Sequence, residues 1–135
     1  ENLHFRDIDI LDHDEDDRNY QGCLAFSVSD KNRVQHVSFE NIRIENIQEG
    51  QLFNMRIVYN EKYSAAPGNG IANVSFRNIY YSGQGENPSV IEGFDENRMI
   101  RNVSFENIVI HGKRMKSFED TGIKVGKFTD GVTIQ

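Results

Sequence analysis

The nine residues NVSFENIVI at positions 102–110 decide the fold, because the chain writes this phrase four times. The other versions read NLHFRDIDI from Asn2, HVSFENIRI from His36 and NVSFRNIYY from Asn73. The central aromatic is Phe5, Phe39, Phe76 and Phe105, at steps of 34, 37 and 29 residues. A further 29 residues lead to Ile134 in the closing GVTIQ, the start of a fifth version. Repeats at this period mark stacked supersecondary units, none of which buries its apolar face alone.

Within one phrase, Val74 and Phe76 alternate with Ser75, the period of a half-buried strand. Arg77 and Asn78 break the alternation, and Ile79 and Tyr81 resume it in a new phase. The apolar positions do not supply a helical stripe, and β-branched and aromatic residues dominate. The phrase therefore predicts strand, sharp bend, strand. Asp7, Asn41, Asn78 and Asn107 share the bend position. These residue types tolerate the left-handed region. Stacked in one register, their side chains are expected to form a buried ladder of amide hydrogen bonds.

A third apolar stretch follows in each unit: residues 24–28, 52–59, 89–94 and 123–125. Three strands per coil, a short bend after the second and loops of varying length predict an all-β fold. Its form is a right-handed parallel β-helix, a single-stranded solenoid of about four coils. Leucine-rich repeats and propeller blades need other spacings and tight hairpins. Residues 1–135 read as one β-helix domain. Both ends fall inside a repeat, so the chain is expected to be the C-terminal part of a longer solenoid. Open ends of such a stack predict end-to-end self-association unless Leu3 and residues 118–125 cover them.

NVSFENIVIHG and the longer stretch PSVIEGFDENRMIRNVSFENIVIHGKRM, residues 88–115, resemble the late coils of pectinase-type proteins. The resemblance is to the polygalacturonase-like proteins of glycoside hydrolase family 28, particularly bacterial ones. It implies a secreted or periplasmic polysaccharide-degrading parent, in which these coils support the catalytic ones and extend the substrate groove. The family's Asn-Thr-Asp and Gly-His-Gly motifs are missing from this chain. Asp16-Asp17 lies in an acidic loop, and Arg56-Ile57-Val58 lacks the lysine of the family's Arg-Ile-Lys. No catalytic residue is assigned, and the chain is not expected to be an enzyme by itself. Two other readings stand beside this one: an independent carbohydrate-binding module, and a structural solenoid spacer.

Composition narrows the partners. A formal charge of −6 argues against nucleic acid, and no apolar run is long enough to cross a bilayer. Cys23 is the single cysteine, flanked by apolar residues, and reads as a structural thiol. The run LDHDEDD reads as a solvated acidic loop, and no cofactor is required. If a cation did bind, it would be calcium, with Asp12, Asp14 and Asp16 as oxygen ligands.

The third strand carries the binding prediction. With Phe53, Met55 and Ile57 inward, Asn54 and Arg56 point outward, and the same phase turns Lys124 outward. Glu92 joins them if Ile91 faces in. Parallel stacking aligns such residues about 4.8 Å apart, a spacing suited to sugar hydroxyls. Tyr63, in the polar loop KYSAAPGNG, is the tyrosine expected to be most exposed, while Tyr81 falls on the core phase. The candidate polysaccharide contacts are therefore Asn54, Arg56, Glu92, Lys124 and Tyr63. Asn73 and Asn102 open glycosylation sequons, which packing at strand starts explains more simply.

Overall fold

A computed structural model describes residues 1–19, 21–85 and 88–135. The repeated phrase forms long strands: β1 (Leu3–Ile10), β3 (Arg33–Ile44), β5 (Gly70–Tyr81), β7 (Ile100–Ile110) and β10 (Thr129–Ile134). The third stretches form short ones: β2 (Gly22–Val28), β4 (Gln51–Ile57), β6 (Ser89–Glu92) and β9 (Ile123–Val125). The chain alternates between two parallel sheets, ordered β1-β3-β5-β7-β10 and β2-β4-β6-β9. The two-residue strand β8 (Lys113–Arg114) pairs antiparallel with the end of β7.

The predicted bend exists, but it does not cut the phrase into two strands. Asp7, Asn41, Asn78 and Asn107 have φ between 52° and 56°, and ladder pairing resumes on either side of each. One left-handed residue turns the chain without consuming extra backbone, so each unit contributes one long bent strand and one short strand. A second bend, which the phrase also encodes, precedes it. Asn2, His36, Asn73, Asn102 and Gly131 have φ of 54–65° at the first position of each copy. Only residues that enter the left-handed region cheaply stand there.

Stacking places identical residues in columns. Phe5, Phe39, Phe76 and Phe105 are register partners, with centroids 4.9, 5.0 and 4.9 Å apart and planes within 13°. Phe53 from the other sheet meets Phe76 and Phe105 edge-on, each at 5.1 Å. That interlock welds the two sheets into one core. Tyr81 is buried, as its phase predicts.

The bend column is the expected ladder. Asn41 Nδ2 donates to Asp7 Oδ1 at 3.0 Å, Asn78 to Asn41 at 2.9 Å, and Asn107 to Asn78 at 2.8 Å. It is not buried: Asn41 is exposed, and Asn78 and Asn107 are half-buried. A left-handed bend turns its side chain toward the outside of the corner, which explains the difference. The sequon asparagines join a second column, Asn102 Nδ2 donating to Asn73 Oδ1 at 3.1 Å.

One element had no counterpart in the repeat reading. The helical turn α1 (Phe118–Thr121) is capped by Ser117, which accepts from Asp120 N, and ends on left-handed Gly122. Its Phe118 is half-buried and lies edge-on to Phe105 at 6.1 Å. Leu3, by contrast, is 49% exposed.

Candidate functional site: a cleft at the end of the short-strand sheet

The short-strand sheet repeats less faithfully, and its outward positions differ from unit to unit. Ser27, Arg56 and Glu92 form one register column across β2, β4 and β6. Glu92 lies over Gly126, where an added Cβ would come within 3.1 Å of Oε1. Glycine at this position leaves the carboxylate room to lie against the backbone.

Two departures of the chain enclose the column. After β4 the backbone follows its neighbour for one more residue, Val58 N donating to Val28 O at 2.9 Å. It then leaves through Tyr59 and an Asn60 turn, whose side chain accepts from Lys62 N. After β6, Gly93 N donates to Lys127 O and Phe94 N to Arg98 O. Asp95 fixes this second turn by accepting from Asn97 N, Arg98 N and the Arg98 guanidinium. Burial raises the Asp95 carboxyl, but these hydrogen bonds outweigh it and hold the group below its ordinary range.

The result is a cleft of about 420 Å³ whose lining includes Arg56, Tyr59, Glu92, Phe94 and Lys127. Tyr59 and Phe94 present their rings to solvent, 42% and 40% exposed. Arg56 is half-buried, and its Nε is buried without a hydrogen-bond partner among the described residues. A guanidinium offers donors in a fixed plane, a carboxylate offers acceptors, and the rings offer apolar faces. That set matches the hydroxyls and the CH faces of a sugar. Among the described residues, Glu92 is the one carboxylate in the lining. Hydrolysis of a glycosidic bond needs two carboxyls across the scissile bond, and the described lining supplies one.

The structure brings together two of the five residues singled out from sequence, Arg56 and Glu92. Asn54 is not available: it is 1% exposed, and its Nδ2 donates to Gln21 O at 3.1 Å. Alternation puts Asn54 on the outer face, but there the chain leading into β2 covers it. Lys124 is exposed in a separate hollow with Phe118, Glu119 and Val125. Tyr63 is 74% exposed, as expected, but stands apart from the cleft with Lys62 Nζ 4.9 Å above its ring. Its loop folds back on the β2–β3 turn, where Asp30 N and Lys31 N donate to Ala66 O and Pro67 O. Phe94 and Lys127 escaped sequence reasoning. Both follow a strand end directly, at Gly93 and Gly126, and that was the available signal.

The acidic run is an acceptor loop. Asp12 takes hydrogen bonds from Asn46 Nδ2, at 2.8 Å, and from Gln48 Nε2, while Asp14 and Asp16 are exposed. No three His, Cys, Asp or Glu side chains are placed to hold a metal among the described residues. Burial pushes the Cys23 thiol up to about 11, which keeps it protonated at neutral pH and unsuited to nucleophilic attack. Among the described residues no helix is long and apolar enough to cross a membrane.

Fold and cleft together define an all-β protein of two parallel sheets with an aromatic and ionic groove over one of them. No family model, curated protein or solved structure matches the chain.

Proposed function

We propose that the chain is a right-handed parallel β-helix of the pectinase-like type, and that its own role is carbohydrate recognition. Its setting is the C-terminal part of a secreted or periplasmic polysaccharide-degrading protein of bacterial type. Support for the helix comes from alternation between two parallel sheets and from the strong preference of parallel crossovers for the right hand. Support for recognition is one juxtaposition. Arg56 and Glu92 are register partners and share a cleft with two exposed aromatic residues, Tyr59 and Phe94. In this reading Arg56 and Glu92 bond the hydroxyls of a sugar unit, and Tyr59 and Phe94 bracket its ring faces.

The test is a polysaccharide panel with wild type, Arg56→Ala and Tyr59→Ala. A lost hydrogen bond to a charged group is expected to weaken binding by roughly 10- to 100-fold. Binding that neither substitution changes, or no binding to any glycan, would remove the reading and leave the chain a scaffold.

A further inference from the structure

Just ahead of the repeated phrase, the long-strand sheet loses its uniform columns. One outward column there pairs Arg33 with Gly70, and the next reads Gln35, Ala72, Arg101 and Asp130. β5 lies between β3 and β7, and at both positions it has almost no side chain. Arg33 therefore stands on one side of a gap and Arg101 on the other, on strands about 10 Å apart. The gap is a notch of about 70 Å³ whose lining includes both arginines, Gly70 and Ala72. It is far smaller than the cleft and suits one small ion better than a sugar ring.

Both guanidiniums have donors to spare. Arg33 Nε lies 3.8 Å from where a Cβ on Gly70 would stand, so the guanidinium reaches over the glycine. Arg101 is the register partner of Asp130, yet its Nη2 lies 3.0 Å from Met99 Sδ, a weak acceptor. Other arginines find carboxylates: Arg43 meets Asp9, Arg77 meets Glu106 and Arg98 meets Asp95. Among the described residues, Arg33 and Arg101 form no ion pair, and the notch lining has no carboxylate. Asn97 also lines the notch, and its side-chain amide makes no hydrogen bond among the described residues.

Two guanidiniums facing one gap repel each other unless something negative lies between them. The chain carries a formal charge of −6, so its overall field does not gather anions, and attraction here must be local. The placement of the donors selects the anion. A carboxylate presents both oxygens along one edge, which a single guanidinium fork satisfies. A tetrahedral oxyanion has oxygens on every side and accepts from two forks at once.

We propose that this notch binds a tetrahedral oxyanion, a sulfate or phosphate group held between Arg33 and Arg101 over Gly70 and Ala72. The group is either a free inorganic ion or an ester carried by a larger molecule. The site is on the other sheet from the cleft and does not depend on the glycan reading.

Isothermal titration calorimetry on the 135-residue chain tests this with inorganic sulfate, inorganic phosphate and acetate at matched ionic strength. Sulfate or phosphate is expected to bind one per chain, at least about tenfold more tightly than acetate. Arg33→Gln and Arg101→Gln should each weaken that binding by about tenfold or more, since each removes hydrogen bonds between charged groups. Ala72→Glu puts a carboxylate into the notch itself and should abolish binding with both arginines still present. Arg114→Gln, an exposed arginine on β8, should change nothing. Circular dichroism confirms that each variant folds. Glucose 6-sulfate and glucose 6-phosphate then separate the two sources. Esters that bind at least as tightly as the inorganic ions assign the site to an ester group, and esters that bind more weakly assign it to the free ion. Binding of neither sulfate nor phosphate, acetate bound as tightly as they are, or binding that the notch substitutions leave unchanged would overturn the proposal.

Discussion

The long-strand sheet, with five parallel strands, and the short-strand sheet, with four, behave differently. In the first, the four full copies of the phrase repeat the same two bends and the same aromatic, so bend residues and rings stack on their own kind. In the second, strands shrink from seven residues in β2 and β4 to four in β6 and three in β9. Its outward column reads Ser27, Arg56, Glu92. Identical residues in a column satisfy one another and leave little for a ligand. Unlike residues leave donors and acceptors unspent. The regular side holds the fold, and the irregular side has the cleft.

The sharpest way to break that contrast is to remove one ring from the phenylalanine column. Phe76 is fully buried, with Phe39 and Phe105 on its faces and Phe53 at its edge. Phe76→Ala is expected to cost about 3–5 kcal/mol in urea unfolding. Phe5→Ala, at the open end of the same column, should cost less than about 1.5 kcal/mol, because only one face is packed. Equal losses would mean that the column does not act through two-sided stacking.

The bend column separates backbone from side chain. Asn78→Ala forces a Cβ-bearing residue without a local hydrogen bond to hold φ 54° and deletes bonds to both neighbours. The expected loss is about 2–3 kcal/mol. Asn78→Gly restores the conformation but not the bonds, and its stability should fall between Ala and wild type. A glycine variant as unstable as the alanine one would assign the whole effect to the ladder.

On the short-strand side the informative position is Gly93. A Cβ there would lie 2.4 Å from Phe128 O, a backbone atom that cannot swing away. Gly93→Ala is expected to cost about 1–2 kcal/mol and to displace residues 127–128, which line the cleft. Loss of glycan binding beyond the loss of stability is the readout, compared at a temperature where both proteins are folded. Unchanged binding would show that Lys127 and Phe128 are not part of the recognition surface.

What was legible in the sequence follows the same division. The phrase NVSFENIVI announced its strand, its bend and its aromatic column because each copy obeys the same local rule. The first bend was also written, in Asn2, His36, Asn73, Asn102 and Gly131, but a histidine and a glycine among asparagines disguised the position. Arg56 and Glu92 could be reached by alternation along β4 and β6. Asn54 obeyed that alternation too, and failed because its exposure depends on a crossing segment from another unit. Phe94 and Lys127 were out of reach for the same reason: loops that leave the ladder, and not the period of a strand, aim them at the cleft.

The smallest predicted effect concerns the charges beside the bends. Arg6, Glu40, Arg77 and Glu106 are register partners of alternating sign. Arg77 Nε lies 3.1 Å from Glu106 Oε2, and its NH1 lies 3.7 Å from Glu40 Oε1. All three side chains are roughly half exposed, so solvent screens the attraction, and Arg77→Ala is expected to cost under about 1 kcal/mol. A loss that small is better read through its salt dependence. Removing Arg77 by alanine should matter less as salt rises, because salt already weakens the pairs in wild type. Arg77→Glu instead sets three carboxylates in consecutive ladder positions, a repulsion that salt relieves, so this variant should gain stability relative to wild type as salt is added. If both substitutions gave salt-independent losses, the alternating column would be a by-product of solubility, and the bends would stand on their asparagines alone.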